Sequence, residues 1–148
     1  MTVRIINADV LAGLALLPAE SVHCVVTSPP YFGLRDFGVA GQLGLEPTPE
    51  LYVEHMVAVF REVRRALRRD GTLWLNIGDS YASIRTGGMK PKDLIGIPWM
   101  LAFALRADGW WLRSEITWAK RAPMPESVTE GAAPLVLYVS FRVGTPVA

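Results

Sequence analysis

The sequence has one cysteine, Cys24, in 148 residues, so it can build neither an internal disulfide framework nor a cysteine-rich zinc site. Its two histidines, His23 and His55, are far apart in sequence, which argues against a histidine metal centre. Long apolar runs are missing too. The longest are interrupted by proline, glycine or charged residues, so none predicts a membrane span. The opening Met1-Thr2-Val3-Arg4 lacks the charge-then-apolar pattern of a secretory leader, and the expected location is cytoplasmic. The formal net charge is only +1, which argues against bulk electrostatic attraction to nucleic acid and leaves a local basic patch as the route to it. What the sequence does hold is apolar content, 51% against 20% charged, enough for one domain with a real core.

Strand-like and helix-like segments alternate along the chain. Val3–Ile6 is a β-branched run, Val10–Leu17 predicts a helix with Asp9 as N-cap, and Val22–Thr27 reads as a buried strand that places Cys24 in the core. Residues 31–49 form a long glycine- and proline-rich loop, of the kind that is usually functional or mobile. The apolar stripe over 50–68 predicts an amphipathic helix closed by Arg68-Arg69-Asp70-Gly71. A strand over Thr72–Ile77, a second loop at 86–92, a helix over Leu94–Leu105 and strands over Trp110–Trp118 and Leu135–Phe141 follow. Strands alternating with helices imply a largely parallel sheet, with ligands outside the carboxyl ends of its strands. The loops after Thr27 and Ile77 are therefore the candidate sites.

The sharpest feature is Thr27-Ser28-Pro29-Pro30-Tyr31, directly after a strand. Two prolines fix φ twice and remove two N–H donors, so the loop is stiff and its carbonyls are left to accept from something else. Ser28 adds a hydroxyl acceptor and Tyr31 a flat aromatic surface. Convergent acceptors beside a stacking face suit a planar group bearing an NH2. An isolated Pro-Pro is ordinarily a strand-ending turn; the preceding strand, the serine, the tyrosine and the glycine-rich loop together favour a site.

These residues resemble the catalytic motif of the DNA methyltransferases that modify exocyclic amines, (Asp/Asn/Ser)-Pro-Pro-(Tyr/Phe). The resemblance extends through Asn7-Ala8-Asp9-Val10-Leu11, Leu17-Pro18-Ala19-Glu20-Ser21-Val22, Leu67–Leu75, Gly109–Trp118 and Pro123-Met124-Pro125-Glu126, covering about residues 5 to 129 in the family's order. It implies a three-layer, Rossmann-like α/β sheet, mostly parallel with an antiparallel C-terminal strand. It implies S-adenosylmethionine as cofactor and a base flipped out of double-stranded DNA as substrate. Ser28, Pro29, Pro30 and Tyr31 would bind and activate the target amine, while Asp9, Thr27 and Ser28 would contact the cofactor. Serine at the first motif position is similar to the cytosine-modifying subgroup; adenine-modifying relatives more often have Asp there. An adenine enzyme, or a nucleic-acid-binding remnant without catalysis, are the alternatives.

Other charged residues have simpler readings. Asp9 serves as a helix cap whether or not it touches cofactor, and Gly78-Asp79-Ser80 is turn chemistry before it is a catalytic acid. His23 and His55 have no partner in sequence. Arg61, Arg64, Arg65, Arg68 and Arg69 fall on the solvated side of their helix. Arg85, Lys90, Lys92, Lys120 and Arg121 lie in loops nearer the cleft and are the candidates for DNA backbone contact.

The family holds the methionine end of its cofactor with a Phe-x-Gly-x-Gly turn, and this sequence contains none; Gly38–Gly44 has the wrong spacing and follows a loop. The resemblance therefore leads to the expectation of a single partial domain over 1–148, the catalytic half of a permuted enzyme. Its segment 130–148 diverges from the family pattern, and its remaining half would lie on a complementing chain or be lost. A half-sheet would expose an edge and apolar surface, so self-association is expected.

Overall fold

The computed structural model describes residues 2–83, 88–119 and 135–143. Three helices and four strands follow one another as α1 (Val10–Ala15), β1 (Val22–Thr27), α2 (Pro49–Ala66), β2 (Leu67–Gly78), α3 (Ile97–Ala107), β3 (Trp111–Ala119) and β4 (Leu135–Arg142). Strand order in the sheet is β1-β2-β4-β3. β1 runs parallel to β2, while β4 is antiparallel to both β2 and β3. β1, β2 and β3 thus share one direction and the C-terminal strand alone opposes it, as the resemblance implied.

α2 starts where local chemistry says it should. Thr48 Oγ1 accepts from the Leu51 N–H at 3.2 Å, and Pro49 occupies the first turn, where its missing donor costs nothing. Tyr52, Met56, Phe60 and Val63 recur at helical spacing and are buried against Leu73, Leu75 and Ile77 of β2. α3 adds Ile97, Leu101 and Leu105 to the same core. No glycine ends α2. Leu67 takes an extended conformation and the chain enters β2 at once, with the register jumping from Val22↔Leu67 to Cys24↔Thr72, so that 68–71 form an excursion at the expected turn.

The packing residues all lie on one side of the sheet. On the other side Val26, Trp74 and Ile116 remain 74%, 36% and 46% exposed. Register places Val26 beside Trp74, and the exposed Cys24 belongs to this side as well, beside Thr72. The expectation of a buried Cys24 is thereby corrected: β1 is covered on one side only, and its free edge pairs with nothing among the described residues. The Val3–Ile6 run is not a strand. Val3 and Ile5 are exposed, because no sheet edge is paired with them. No helix among the described residues is long and apolar enough to cross a membrane.

The arginines of α2 tie the helices together: Arg64 and Arg65 are half-buried, while Arg61, like Arg68 and Arg69 at the start of β2, stays exposed as expected. Arg65 donates to the carbonyls of Leu14 and Leu17 at 2.8 and 3.0 Å, adding a second bond to Leu14, which already accepts the Leu17 N–H, and supplying a donor to Leu17 beyond the end of α1. Arg61 pairs with Asp108 and Arg64 donates to the Asp108 carbonyl at 2.8 Å, tying down the end of α3. Arg68 and Arg69 pair with Asp70 and Glu20.

Candidate active site

Thr27 is the last residue of β1, and Ser28-Pro29-Pro30-Tyr31 leaves the sheet immediately. Neither proline can donate to a ladder, so pairing stops here and the loop turns over the end of β2. Ser28 Oγ comes within 3.3 Å of both Tyr31 Oη and Asn76 Oδ1, and the Tyr31 hydroxyl donates to the same Asn76 oxygen. Asn76 is one of two buried polar residues among those described. The Tyr31 ring lies on the backbone of Gly78: a Cβ there would approach Tyr31 Cε2 and Cδ2 to 2.7 and 2.8 Å. Residue 78 must be glycine for the ring to rest where it does.

A second set of contacts supports the loop from the helix side. Tyr52, fully buried on α2, donates its hydroxyl to the Pro30 carbonyl at 2.8 Å. Burial, reinforced by the charge of Glu46 and by Tyr31, pushes the Tyr52 phenol well above the ordinary tyrosine range, so it stays a donor. Gly44 has φ +96°, and a Cβ on it would meet the Tyr31 carbonyl at 2.9 Å. Its N–H donates to Glu46 Oε2 at 2.8 Å, and Glu46 Oε1 meets His55 Nδ1 at 3.1 Å. His55 therefore has a partner nine positions upstream that no motif announced.

The expectation of free loop carbonyls holds in a narrower form. Pro30 O is taken by Tyr52, and Tyr31 O accepts the Leu34 N–H at 3.4 Å. Among the described residues no donor reaches Pro29 O. Of its two proline carbonyls the loop thus leaves one unused, beside one serine hydroxyl.

Two cavities meet at this loop. The smaller, about 350 Å³, is lined by Ser28, Pro29, Pro30, Tyr31, Arg35 and Phe37, among others. The larger, about 620 Å³, is lined by Asp9, Thr27, Ser28, Pro29 and Pro30, with Met56 and Phe60 among its apolar residues. Both volumes fall in the range of small-molecule sites, roughly 300–1,000 Å³. Ser28, Pro29 and Pro30 border both, so the Pro-Pro loop is the wall between them.

Each residue singled out in the sequence has a place. Asp9 caps α1, its Oδ1 accepting from Leu11 N–H at 3.0 Å and Ala12 N–H at 3.5 Å, and still lines the larger cavity with Thr27 and Ser28. Gly41 and Gln42 of the glycine-rich loop line it as well. Lys90 and Lys92 are exposed on the β2–α3 connection and line neither cavity. Arg85, Lys120 and Arg121 lie outside the described residues. Asp79 is a clip: its carboxylate accepts from the N–H groups of Ser80, Gly96 and Ile97 at 2.9–3.0 Å, closing the β2–α3 loop and capping α3. Desolvation holds its carboxyl above the usual range against those same bonds. Asn76 and Tyr52 are the members the sequence did not reveal. Asn76 reads as one more polar residue near a strand end, and Tyr52 as a core aromatic.

The geometry has counterparts among known proteins. A family model described as DNA methylase, N6_N4_Mtase, matches residues 22–142. The type II methyltransferase M.XycI of Xanthomonas campestris pv. cyanopsidis is 51% identical, over 86% of this chain and 49% of its own length. M.SmaI of Serratia marcescens is 49% identical, over 86% and 51%. The chain thus spans about half the length of these relatives. A Thermus thermophilus protein solved with S-adenosyl-L-methionine superimposes with a TM-score of 0.70 at 25% identity, over 95% of this chain and 53% of that one. The cytosine-N4-specific PvuII DNA methyltransferase shares the fold with a TM-score of 0.70 at 19% identity, over 91% and 47%. With a family model covering most of its length and close relatives that agree, the chain belongs to the N6_N4_Mtase family of DNA methylases.

Proposed function

We propose that this chain carries the amine-binding half of an S-adenosylmethionine-dependent methyltransferase that modifies the exocyclic amine of a cytosine flipped out of double-stranded DNA. The observation that carries the reading is the shared wall: Ser28, Pro29 and Pro30 border two cavities, so groups bound on either side would meet across the loop.

The larger cavity suits the cofactor. Its apolar α2 side offers a surface for an adenine ring, and Asp9 keeps a carboxylate oxygen uncommitted by the α1 cap for ribose hydroxyls. Bound there, the cofactor would supply an electrophilic methyl group on a sulfonium. In the smaller cavity, Ser28 Oγ and Pro29 O are the two acceptors for the N–H bonds of the target amine. Accepting both bonds draws the nitrogen lone pair out of conjugation with the ring and toward the methyl carbon. An amine so held would be open to methylation by that sulfonium, and the proton it gives up would pass by way of Ser28 Oγ to water. No covalent nucleophile on the protein is needed, and Cys24, which lines neither cavity, is not called upon. Tyr31, held flat on Gly78, supplies a face on which a base could stack.

The rest of the enzyme, as one partial domain would require, adds to the open side of the sheet and the free β1 edge, on this chain's continuation or on a complementing chain. Lys90, Lys92, Arg85, Lys120 and Arg121 are the cations proposed for the DNA backbone. Two measurements test the reading. Calorimetry should show S-adenosylmethionine binding that Asp9→Ala weakens, and absence of binding would remove the cofactor site. Nucleoside mass spectrometry of DNA treated with this chain and the remaining half of a relative should show N4-methylcytosine; N6-methyladenine would replace cytosine by adenine as the target.

A further inference from the structure

We propose that Asn76 is the positioning residue that makes Ser28 an acceptor, an inference that rests on the amine-binding reading above. A serine hydroxyl can donate or accept, and amine activation needs it to accept. Nothing in the Ser-Pro-Pro-Tyr motif decides between the two. The three polar groups at the loop decide it together. Ser28 Oγ, Tyr31 Oη and Asn76 Oδ1 form a closed set, with Ser28 Oγ 3.3 Å from each of the other two oxygens and Tyr31 hydrogen-bonded to Asn76. Two of these oxygens carry a proton and the third, an amide oxygen, can only accept.

Both hydroxyl protons are therefore drawn inward, the Tyr31 proton to Asn76 and the Ser28 proton to Asn76 or to the Tyr31 oxygen. Lone pairs are what remain on the cavity side of Ser28. Turned the other way, the Asn76 amide would donate to both hydroxyls and leave Ser28 free to donate its proton to the cavity, repelling an NH2 group. Asn76 is suited to the task because it is buried on β2, 9% exposed, within a hydrogen-bonded strand, while Ser28 sits on the loop. The strand fixes the backbone from which the amide reaches, and the two hydroxyls that meet its oxygen hold that oxygen toward the loop.

The test compares Asn76→Leu with Asn76→Asp, the second being an isostere that can accept in either orientation. Each chain is titrated with an oligonucleotide carrying an unpaired cytosine, and with one carrying 2-pyrimidinone, which lacks only the exocyclic amine. The parent should prefer the cytosine by at least about fivefold, the worth of one or two neutral hydrogen bonds. Asn76→Leu should lose the preference while Asn76→Asp keeps it. An unchanged preference in Asn76→Leu overturns the proposal, as does a parent with none. A parent that binds neither oligonucleotide defeats the functional reading instead, and a ligand-free signal then decides the role of Asn76. That signal is the ultraviolet resonance Raman signature of a donating Tyr31 phenol, assigned with Tyr31→Phe. It should weaken in Asn76→Leu, where the Ser28 oxygen at 3.3 Å is the acceptor left to the phenol, and persist in Asn76→Asp; an unchanged signature in Asn76→Leu would overturn the proposal.

Discussion

The Tyr52 hydroxyl and the Pro30 carbonyl stand 2.8 Å apart, joining the buried face of α2 to the second proline of the Ser-Pro-Pro-Tyr loop. This bond selects which of the two proline carbonyls is left for a substrate. It is made by a fully buried side chain, so the helix core and the loop cannot move independently. Tyr52→Phe should cost about 1 kcal/mol, because it leaves a carbonyl without its donor, and thermal denaturation would show the loss.

The same phenol predicts an alkaline weakness. Its folded-state pKa is raised above 10.0 by burial, so its contribution is complete below that value. Above it the unfolded chain loses the proton first and stability falls. Denaturant titrations carried from neutral pH to above the ordinary tyrosine range should show this fall. Tyr52→Phe should lessen it.

Gly78→Ala should displace the Tyr31 ring, since the new methyl would sit 2.7 Å from Cε2. Gly44→Ala adds strain at φ +96° to a close approach to the Tyr31 carbonyl. Each should lower stability by about 1–3 kcal/mol, measurable in urea, and should reduce binding in the smaller cavity.

Asp79 separates charge from hydrogen bonding. Asp79→Ala leaves the Gly96 and Ile97 N–H groups without an acceptor and should cost about 1–2 kcal/mol. Asp79→Asn keeps an acceptor and should cost less. Because burial raises the folded-state pKa of this carboxyl, its contribution to stability is greatest in acid and falls as pH rises through that pKa. Asp79→Asn should flatten that dependence in acid denaturation profiles.

The open side of the sheet predicts association. With Val26 and Trp74 adjacent and exposed beside a free strand edge, the isolated chain should self-associate in light scattering. Val26→Lys should reduce the association. A monodisperse parent would show that this surface is tolerated bare.

Much of this arrangement was legible in the sequence, and the exceptions have physical causes. The Ser-Pro-Pro-Tyr loop and the α2 stripe follow from local rules: proline stops a ladder, apolar spacing buries a face. The antiparallel last strand was implied by the family resemblance, not by local rules. Val3–Ile6 misled because β-branched residues make a strand only when a neighbour pairs with them. Cys24 misled because alternation along β1 assigns residues to two sides without telling which side is covered. Arg64 and Arg65 are half-buried where a solvated face was expected, because the carbonyls they reach, at the ends of α3 and α1, are remote in sequence. Asn76 and Tyr52 were hidden for the same reason, lying 48 and 22 positions from the loop residues they hold.

The central claim is that the wall between the two cavities is where an amine is activated for methyl transfer. Single-turnover transfer of labelled methyl from S-adenosylmethionine to duplex DNA tests it most directly. Ser28→Ala would be compared with the parent, with the remaining half of the Serratia marcescens relative supplied as a second chain. Transfer by the parent that falls at least about 100-fold in Ser28→Ala, with cofactor and DNA binding retained, is the predicted result. Equal transfer by the two proteins would contradict it.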